Sequence, residues 1–348
     1  MEKIMMKGNE ALAEGAIRAG CRFFAGYPIT PQNEVPEYMS RRMPEVDGVF
    51  LQAESEVSAI NMIYGAGGAG CRAMTSSSSP GISLKQEGIS YIACAQVPCV
   101  IVNVARGGPG LGGLTSSQAD YFQATKGGGH GDYRLIVFSP GTVQEMVDLM
   151  GLAFDKADEY RNPAMILSDA IMGQMMEPVT LPEMKDIQKM NKPWATTGMK
   201  NRKQNLINSL GLLPEDLVKI NLELQEKYRK IEANEVRYAV ENVDDADLVL
   251  VAYGTSSRVA RSAINMARKE GKKVGLLRPI TLWPFPKQPL ADLAAAGKRF
   301  LVVEMSAGQM VEDVILATND RSKVEFFGVM NGAVPTVRQV YDKIMEVL

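Results

Sequence analysis

Two glycine-rich segments, one pair of acids and a single histidine are the places where this sequence could bind an anion or move a proton. The acids lie in Glu54-Ser55-Glu56-Val57-Ser58-Ala59. They open a stretch with helical spacing, where carboxylates are favoured by the helix dipole with or without a catalytic task. Gly107-Gly108-Pro109-Gly110-Leu111-Gly112-Gly113 has the glycine content of a dinucleotide fingerprint. Pro109 interrupts it and no apolar helical pattern follows at once, so the context is wrong for a nucleotide site. No GxxxxGK(S/T) phosphate loop is present. The second glycine-rich segment, Gly127 to Asp132, contains His130. That imidazole could donate a proton near a substrate or simply hydrogen-bond within its loop. Both glycine-rich loops are expected to follow strands at the carboxyl edge of a sheet, where open α/β folds bind ligands.

The remaining reactive residues narrow the options. With one histidine in 348 residues, a His-rich metal centre and a Ser-His-Asp triad elsewhere in the chain are excluded. Cys21, Cys71, Cys94 and Cys99 match no zinc or iron–sulfur spacing and read as buried thiols in a reducing compartment. Hard chemistry would therefore come from a bound cofactor. Lys and Arg number 38 against 40 Asp and Glu, a net charge of −2, which argues against a general nucleic-acid binder. No apolar run approaches the roughly 18–20 residues of a membrane span. The first seven residues have no signal-peptide core. A cytoplasmic protein without membrane attachment is expected.

Two alternating stretches must position these groups. Over residues 1–175, helix is predicted at 8–19, from Pro31 onward with Thr30 as N-cap, and at 54–66. Buried strands are predicted at 23–26, 49–51, 72–75, 97–104, 135–138 and 164–167. That pattern is a parallel sheet covered by helices. Met172, Met175 and Met176 read as core or interface filler. Residues 176–240 form a connecting segment with helix near 215–233. Residues 241–348 alternate again, with strands at 248–251, 274–277, 300–303 and 324–327 and helices at 257–269 and 336–348. They make a second, smaller α/β domain.

The order of these features resembles a known family. An acid on a helix, the small-residue turn from Ala66 to Gly70, a strand, and the loop from Thr75-Ser76 to Pro80-Gly81 resemble the pyrimidine-binding domain of thiamine-diphosphate enzymes. Gly26-Tyr27-Pro28-Ile29-Thr30-Pro31, Val104-Ala105-Arg106-Gly107-Gly108-Pro109 and Arg278-Pro279-Ile280-Thr281-Leu282-Trp283-Pro284-Phe285-Pro286 are similar to motifs of the α subunit of 2-oxoacid:ferredoxin oxidoreductases. These landmarks span most of the chain. The segment from Gln123 to Arg134 most resembles the branched-chain type, the 3-methyl-2-oxobutanoate (2-oxoisovalerate) enzymes. In the second domain, Gly254-Thr255-Ser256-Ser257 and Glu304-Met305-Ser306-Ala307-Gly308-Gln309 resemble a transketolase C-terminal domain, which packs and dimerises.

The resemblance implies roles by position. Glu56 matches the glutamate that donates to N1′ of the aminopyrimidine, with Glu54 a neighbour; an apolar cleft disfavours the charged form of such a carboxyl. Pro28, Ile29, Ser79 and Pro80 match cofactor-binding positions. Thr30 matches a threonine that contacts substrate, beside its alternative as a helix cap. Arg106 matches the arginine that pairs with the substrate carboxylate, a task suited to the guanidinium fork; a surface ion pair is its alternative. His130 is a further candidate substrate contact, and Asn33 and Glu34 are expected to shape the same pocket. Thiamine diphosphate would be shared with a β subunit. No GDG…N segment and no CxxCxxC cluster occur here, so Mg²⁺ and iron–sulfur clusters are expected on partner chains. The implied partners are β, a separate γ, a ferredoxin-like subunit, ferredoxin as electron acceptor, a 2-oxo acid and coenzyme A. Alternatives are the same reaction on 2-oxoglutarate or pyruvate, a non-catalytic scaffold subunit, and a dinucleotide-dependent dehydrogenase.

Overall fold

The most apolar short runs become the middle strands of two sheets, because a strand covered on both faces has no side that tolerates water. The computed structural model describes residues 3–187, 190–330 and 332–348. The first part runs β1 (Lys3–Lys7), α1 (Gly8–Arg18), β2 (Phe23–Gly26), α2 (Glu34–Arg42), β3 (Val49–Gln52), α3 (Glu56–Gly68), β4 (Ala73–Ser77), α4 (Ser79–Cys94), β5 (Val100–Ala105), α5 (Tyr121–Thr125), β6 (Ile136–Phe138), α6 (Val143–Tyr160), β7 (Ala164–Asp169), α7 (Ala170–Gln174) and β8 (Met176–Thr180). After an irregular connection come α8 (Pro214–Asn234), β9 (Tyr238–Glu241), β10 (Leu248–Val251), α9 (Gly254–Lys269), β11 (Val274–Pro279), β12 (Thr281–Trp283), α10 (Lys287–Ala295), β13 (Arg299–Glu304), α11 (Met310–Thr318), β14 (Val324–Gly328) and α12 (Val337–Val347).

The larger sheet has seven strands in the order β12-β6-β7-β5-β4-β2-β3. All pairs are parallel except β12 with β6, where Thr281 pairs with Phe138. The smaller sheet has the order β14-β13-β10-β11-β9, with β9 alone antiparallel. β1 and β8 form a separate antiparallel pair, so residues 176–180 pack back onto the first part.

Alternation along β5 shows how the larger sheet is covered. Val100, Val102 and Val104 enter one core with Leu12, Ile17, Met146 and Phe154 of α1 and α6. Ile101 and Ala105 enter the other with Ile60, Ile63, Ile82 and Ile89 of α3 and α4. That second core continues without a break into Val249, Val302 and Val314 of the smaller sheet and α11. Buried polar groups pin the two sheets together. Gln118 Nε2 donates to Tyr253 O at 2.9 Å while its Oε1 accepts from Ser256 Oγ at 2.6 Å. Asp169 accepts from Thr255 Oγ1 at 2.8 Å, and Tyr121 Oη donates to Asp313 at 2.6 Å. Among the described residues no helix is long and apolar enough to cross a membrane.

Four expectations change. The helix predicted from Pro31 begins at Glu34, with Asn33 at its cap position. Two turns precede it, closed by Gln32 N–H to Ile29 O and Val35 N–H to Gln32 O, and buried Gln32 is held by Ser76 Oγ at 2.5 Å. Thr30 is therefore not a cap; its hydroxyl accepts from Asn33 Nδ2 at 3.1 Å. Strand 49–51, expected to be buried, is the sheet's edge strand β3, with Val49 and Leu51 exposed. The 127–132 loop follows the short helix α5 and leads into the amino end of β6, so it is not at the carboxyl edge. Ser79 and Pro80, read as loop, form the first turn of α4, where Pro fits because its missing N–H would lack a helical partner anyway.

Candidate cofactor and substrate site

Parallel strands bring their carboxyl ends to one edge, and the loops beyond them gather the polar residues singled out by sequence. β3 leads to Glu56, β2 to Thr30, β4 to Ser79, and β5 to Arg106. Ser55 caps α3 by accepting from Ser58 N–H at 3.1 Å, which puts Glu56 at the first helical position. Its carboxylate is buried and takes no hydrogen bond from any described residue, whereas Glu54 is exposed and accepts from Ser58 Oγ at 2.8 Å.

Glu56 lies against the start of α4. A Cβ added at Gly81 would sit 2.1 Å from Ser77 Oγ and 2.7 Å from Glu56 Oε1. Ser77 Oγ and Ser78 Oγ are themselves buried without partners among the described residues. A free buried carboxyl beside two unpartnered hydroxyls has donors and acceptors left for a polar heterocycle. Gly81→Ala should displace Glu56 and lower turnover on the order of 10²-fold. Gly65→Ala is the control, since a Cβ there meets nothing within 4 Å. Parallel assays and melting curves check this; equal activity in the two variants would show that the Gly81 approach does not matter.

Arg106 is buried and makes no ion pair among the described residues. Its Nη1 donates to Thr30 O at 2.9 Å and its Nη2 to Leu111 O at 2.8 Å, while Nε is buried without an acceptor. A guanidinium hydrogen-bonded only to carbonyl oxygens among the described residues is left free to pair with an anion. Ser79 locks this corner: its Oγ donates to Asp120 Oδ2 at 2.6 Å and accepts from Arg106 N–H at 2.9 Å. Asn103 Nδ2 also donates to Asp120 Oδ2, at 2.8 Å. Burial pushes the Asp120 carboxyl above its usual range, against the pull of Ser79 and Asn103. Asp120 escaped the sequence reading, although Asn103, a polar residue inside an apolar strand, was the signal that a buried partner must exist.

A cleft of about 400 Å³ opens between the sheets, lined by Ser79, Pro80, Arg106 and Asp120 on one side and by Ser306 and Gln309 on the other. Glu56 and Thr30 are not among its lining residues. Beside it, Glu304 accepts backbone N–H bonds from Gln309, Met310 and Val311, so the chain's own acid fills the N-terminus of α11.

Other predicted residues fall outside this group. Tyr27 and Pro28 are exposed and Ile29 is half-buried, at the mouth of the loop after β2. Glu34 turns toward Asn9 Nδ2 at 2.8 Å and Gln174 Nε2 at 2.7 Å, on the α1 side. His130 stacks edge-on with Tyr91, ring centroids 6.1 Å apart, in a separate pocket with Cys94 and Ser209. Tyr91 is twelve residues along α4 from Ser79, a rise of about 18 Å. The structure thus joins Thr30, Ser79, Pro80 and Arg106, brings Glu56 to the same edge, and leaves His130 at the far end of α4. Met172 is buried but Met176 is exposed. Among the described residues no group of three or more His, Cys, Asp or Glu side chains could hold a metal ion.

This architecture accommodates a thiamine-diphosphate-binding oxidoreductase subunit, and family comparison shows that class. Residues 14–245 match the thiamine-diphosphate-binding family of pyruvate flavodoxin/ferredoxin oxidoreductases, and residues 246–340 match core domain II of pyruvate:ferredoxin oxidoreductase. The chain belongs to the thiamine-diphosphate-dependent 2-oxoacid:ferredoxin oxidoreductase family. It is 53% identical to ketoisovalerate oxidoreductase subunit VorB of Methanothermobacter thermautotrophicus, covering 99% of this chain and 97% of that one. It is 36% identical to 2-oxoglutarate synthase subunit KorA of Methanothermobacter marburgensis, covering 99% of each. Among solved structures, 2-oxoglutarate:ferredoxin oxidoreductase from Magnetococcus marinus aligns with a TM-score of 0.86 at 28% identity, over 99% of this chain and 65% of that chain. The relatives are named as subunits, so further subunits are expected.

Proposed function

We propose that this chain supplies the pyrimidine side of a thiamine diphosphate site in a complex that oxidatively decarboxylates 2-oxoisovalerate. The reaction consumes coenzyme A and two oxidised ferredoxins, and yields the acyl-CoA, CO₂, two reduced ferredoxins and a proton. A β subunit carries the diphosphate and Mg²⁺ site, a γ subunit completes the assembly, and a ferredoxin-like subunit carries the iron–sulfur clusters. The pyrimidine side is assigned to residues 1–175, joined by 176–240 to the packing domain 241–348, and the complex works in the cytoplasm.

Bound thiamine diphosphate would supply the nucleophilic carbon and the electron sink for decarboxylation. Glu56 holds a proton toward the pyrimidine nitrogen, with Ser79 and Pro80 lining the approach and Pro28 and Ile29 bordering it. Arg106 holds the substrate carboxylate, and Thr30 orients it from a backbone that Arg106 itself anchors. The class rests on the family match, and the branched-chain substrate on one contrast: 53% identity to the ketoisovalerate subunit against 36% to the 2-oxoglutarate subunit.

The test is coenzyme A-dependent viologen reduction by the anaerobically purified native complex, with 2-oxoisovalerate, 2-oxoglutarate, pyruvate and an aryl pyruvate. The highest kcat/KM is expected with 2-oxoisovalerate. A preference for another acid removes the substrate assignment. No turnover with any acid, in a complex containing thiamine diphosphate and intact clusters, removes the function.

A further inference from the structure

α4 meets α3 along a stripe formed by Gly81, Lys85 and Gly88, which share one face of the helix. The α4 backbone is pressed against α3 side chains at both ends of that stripe. A Cβ at Gly81 would lie 2.7 Å from Glu56 Oε1, and one at Gly88 would lie 2.5 Å from Ile60 Cγ2, one turn further along α3. Lys85 enters the seam between these two approaches and is completely buried. Among the described residues its Nζ has one hydrogen-bond partner, the neutral Thr75 Oγ1 of β4, at 2.7 Å. No carboxylate pairs with it at contact distance among the described residues, and the one charged group acting on it from the surrounding elements is Glu56. Packing gives no reason for a lysine here. An unbranched apolar side chain would fill the seam without the desolvation cost of an ammonium.

The geometry points to Lys85 as a positioning residue for the proton held by Glu56: its ammonium offsets the negative charge left when that carboxyl passes its proton to the pyrimidine nitrogen. The assignment rests on reading Glu56 as the acid that faces the ring. Only a proton moves. The Glu56 O–H bond breaks, an N–H bond forms on the ring, the carboxylate gains the negative charge beside Lys85, and the return transfer restores both.

Burial draws the Lys85 pKa down to about 7, with Glu56 pulling it upward. An unfolded lysine titrates near 10.4. Between those values the unfolded chain binds a proton that the folded chain does not. Lys85 therefore costs stability increasingly as pH falls through that window, and the cost is complete below about pH 7.

The test compares Lys85→Met and Glu56→Gln in the assembled complex. Lys85→Met is expected to lower kcat about tenfold at pH 7, a loss of about 1.4 kcal/mol of transition-state stabilisation, with KM for the 2-oxo acid unchanged. In the cofactor-free complex the same variant should melt at a higher temperature than the native form, with a larger gain at pH 6 than at pH 9. Unchanged kcat in Lys85→Met beside an inactive Glu56→Gln overturns the proposal. So does a Lys85→Met chain that fails to assemble or melts lower at both pH values, which marks the lysine as structural. An active Glu56→Gln overturns the reading of Glu56 instead.

Discussion

Glu56→Ala is expected to lower turnover of the assembled complex by about 10²–10⁴-fold, the usual contribution of a positioned acid. The complex should still form. Glu56 accepts no hydrogen bond from any described residue, so its removal strands no donor among them. Taking a carboxyl out of the buried α3–α4 seam also removes a desolvated group, and Lys85, on which Glu56 is the one charge acting, then loses its proton more readily instead of holding an uncompensated charge. The measurement is viologen reduction together with size-exclusion elution and thiamine diphosphate content. Turnover within threefold of the native complex would reduce this subunit to a scaffold around chemistry performed elsewhere.

Arg106→Met should cut kcat/KM for the 2-oxo acid by about 10²–10³-fold, the loss of two charge-assisted hydrogen bonds to a carboxylate. The effect should fall on the 2-oxo acid and leave the KM for coenzyme A unchanged. Arg106 also ties Thr30 O to Leu111 O, so methionine loosens two loops at once. Arg106→Lys separates the contributions. It keeps a charge but cannot reproduce the planar fork, and is expected to recover only part of the loss. A kcat/KM within twofold of native in both variants would place the substrate carboxylate elsewhere.

How much of this was legible in the sequence depends on where each residue's partners lie. β5, β7, β10 and β13 are central strands, and their unbroken apolar runs announce them. β1, β8, β9 and β12 are short edge or satellite strands whose residues alternate irregularly, so no period marks them. Val49-Phe50-Leu51 misled because apolar character normally means burial, yet β3 lies at a sheet edge. The start of α2 was misplaced because a Thr-Pro pair is a good cap in isolation. Here Gln32 is drawn inward by Ser76, and the turn that results consumes three residues. Within the candidate site, motif positions point to Thr30, Glu56 and Arg106, which lie beyond the ends of β2, β3 and β5. Asp120 and Lys85 owe their importance to partners 41 and 10 residues away, Ser79 and Thr75. A lysine among Ile82, Ile89 and Ile92 was nonetheless a visible anomaly, since lysine is almost never fully buried without a reason.

β12 carries a consequence for how this chain can be divided. In sequence it belongs to the second family segment, residues 246–340, but it is the seventh strand of the sheet built by the first. A chain ending near residue 245 would leave β6, a three-residue strand, as a bare edge, and would also strip Tyr253, Thr255 and Ser256 from Gln118 and Asp169. The two segments match separate family models but share one sheet and one continuous core. Neither can be transplanted or shuffled without the strand and the buried hydrogen bonds that join them.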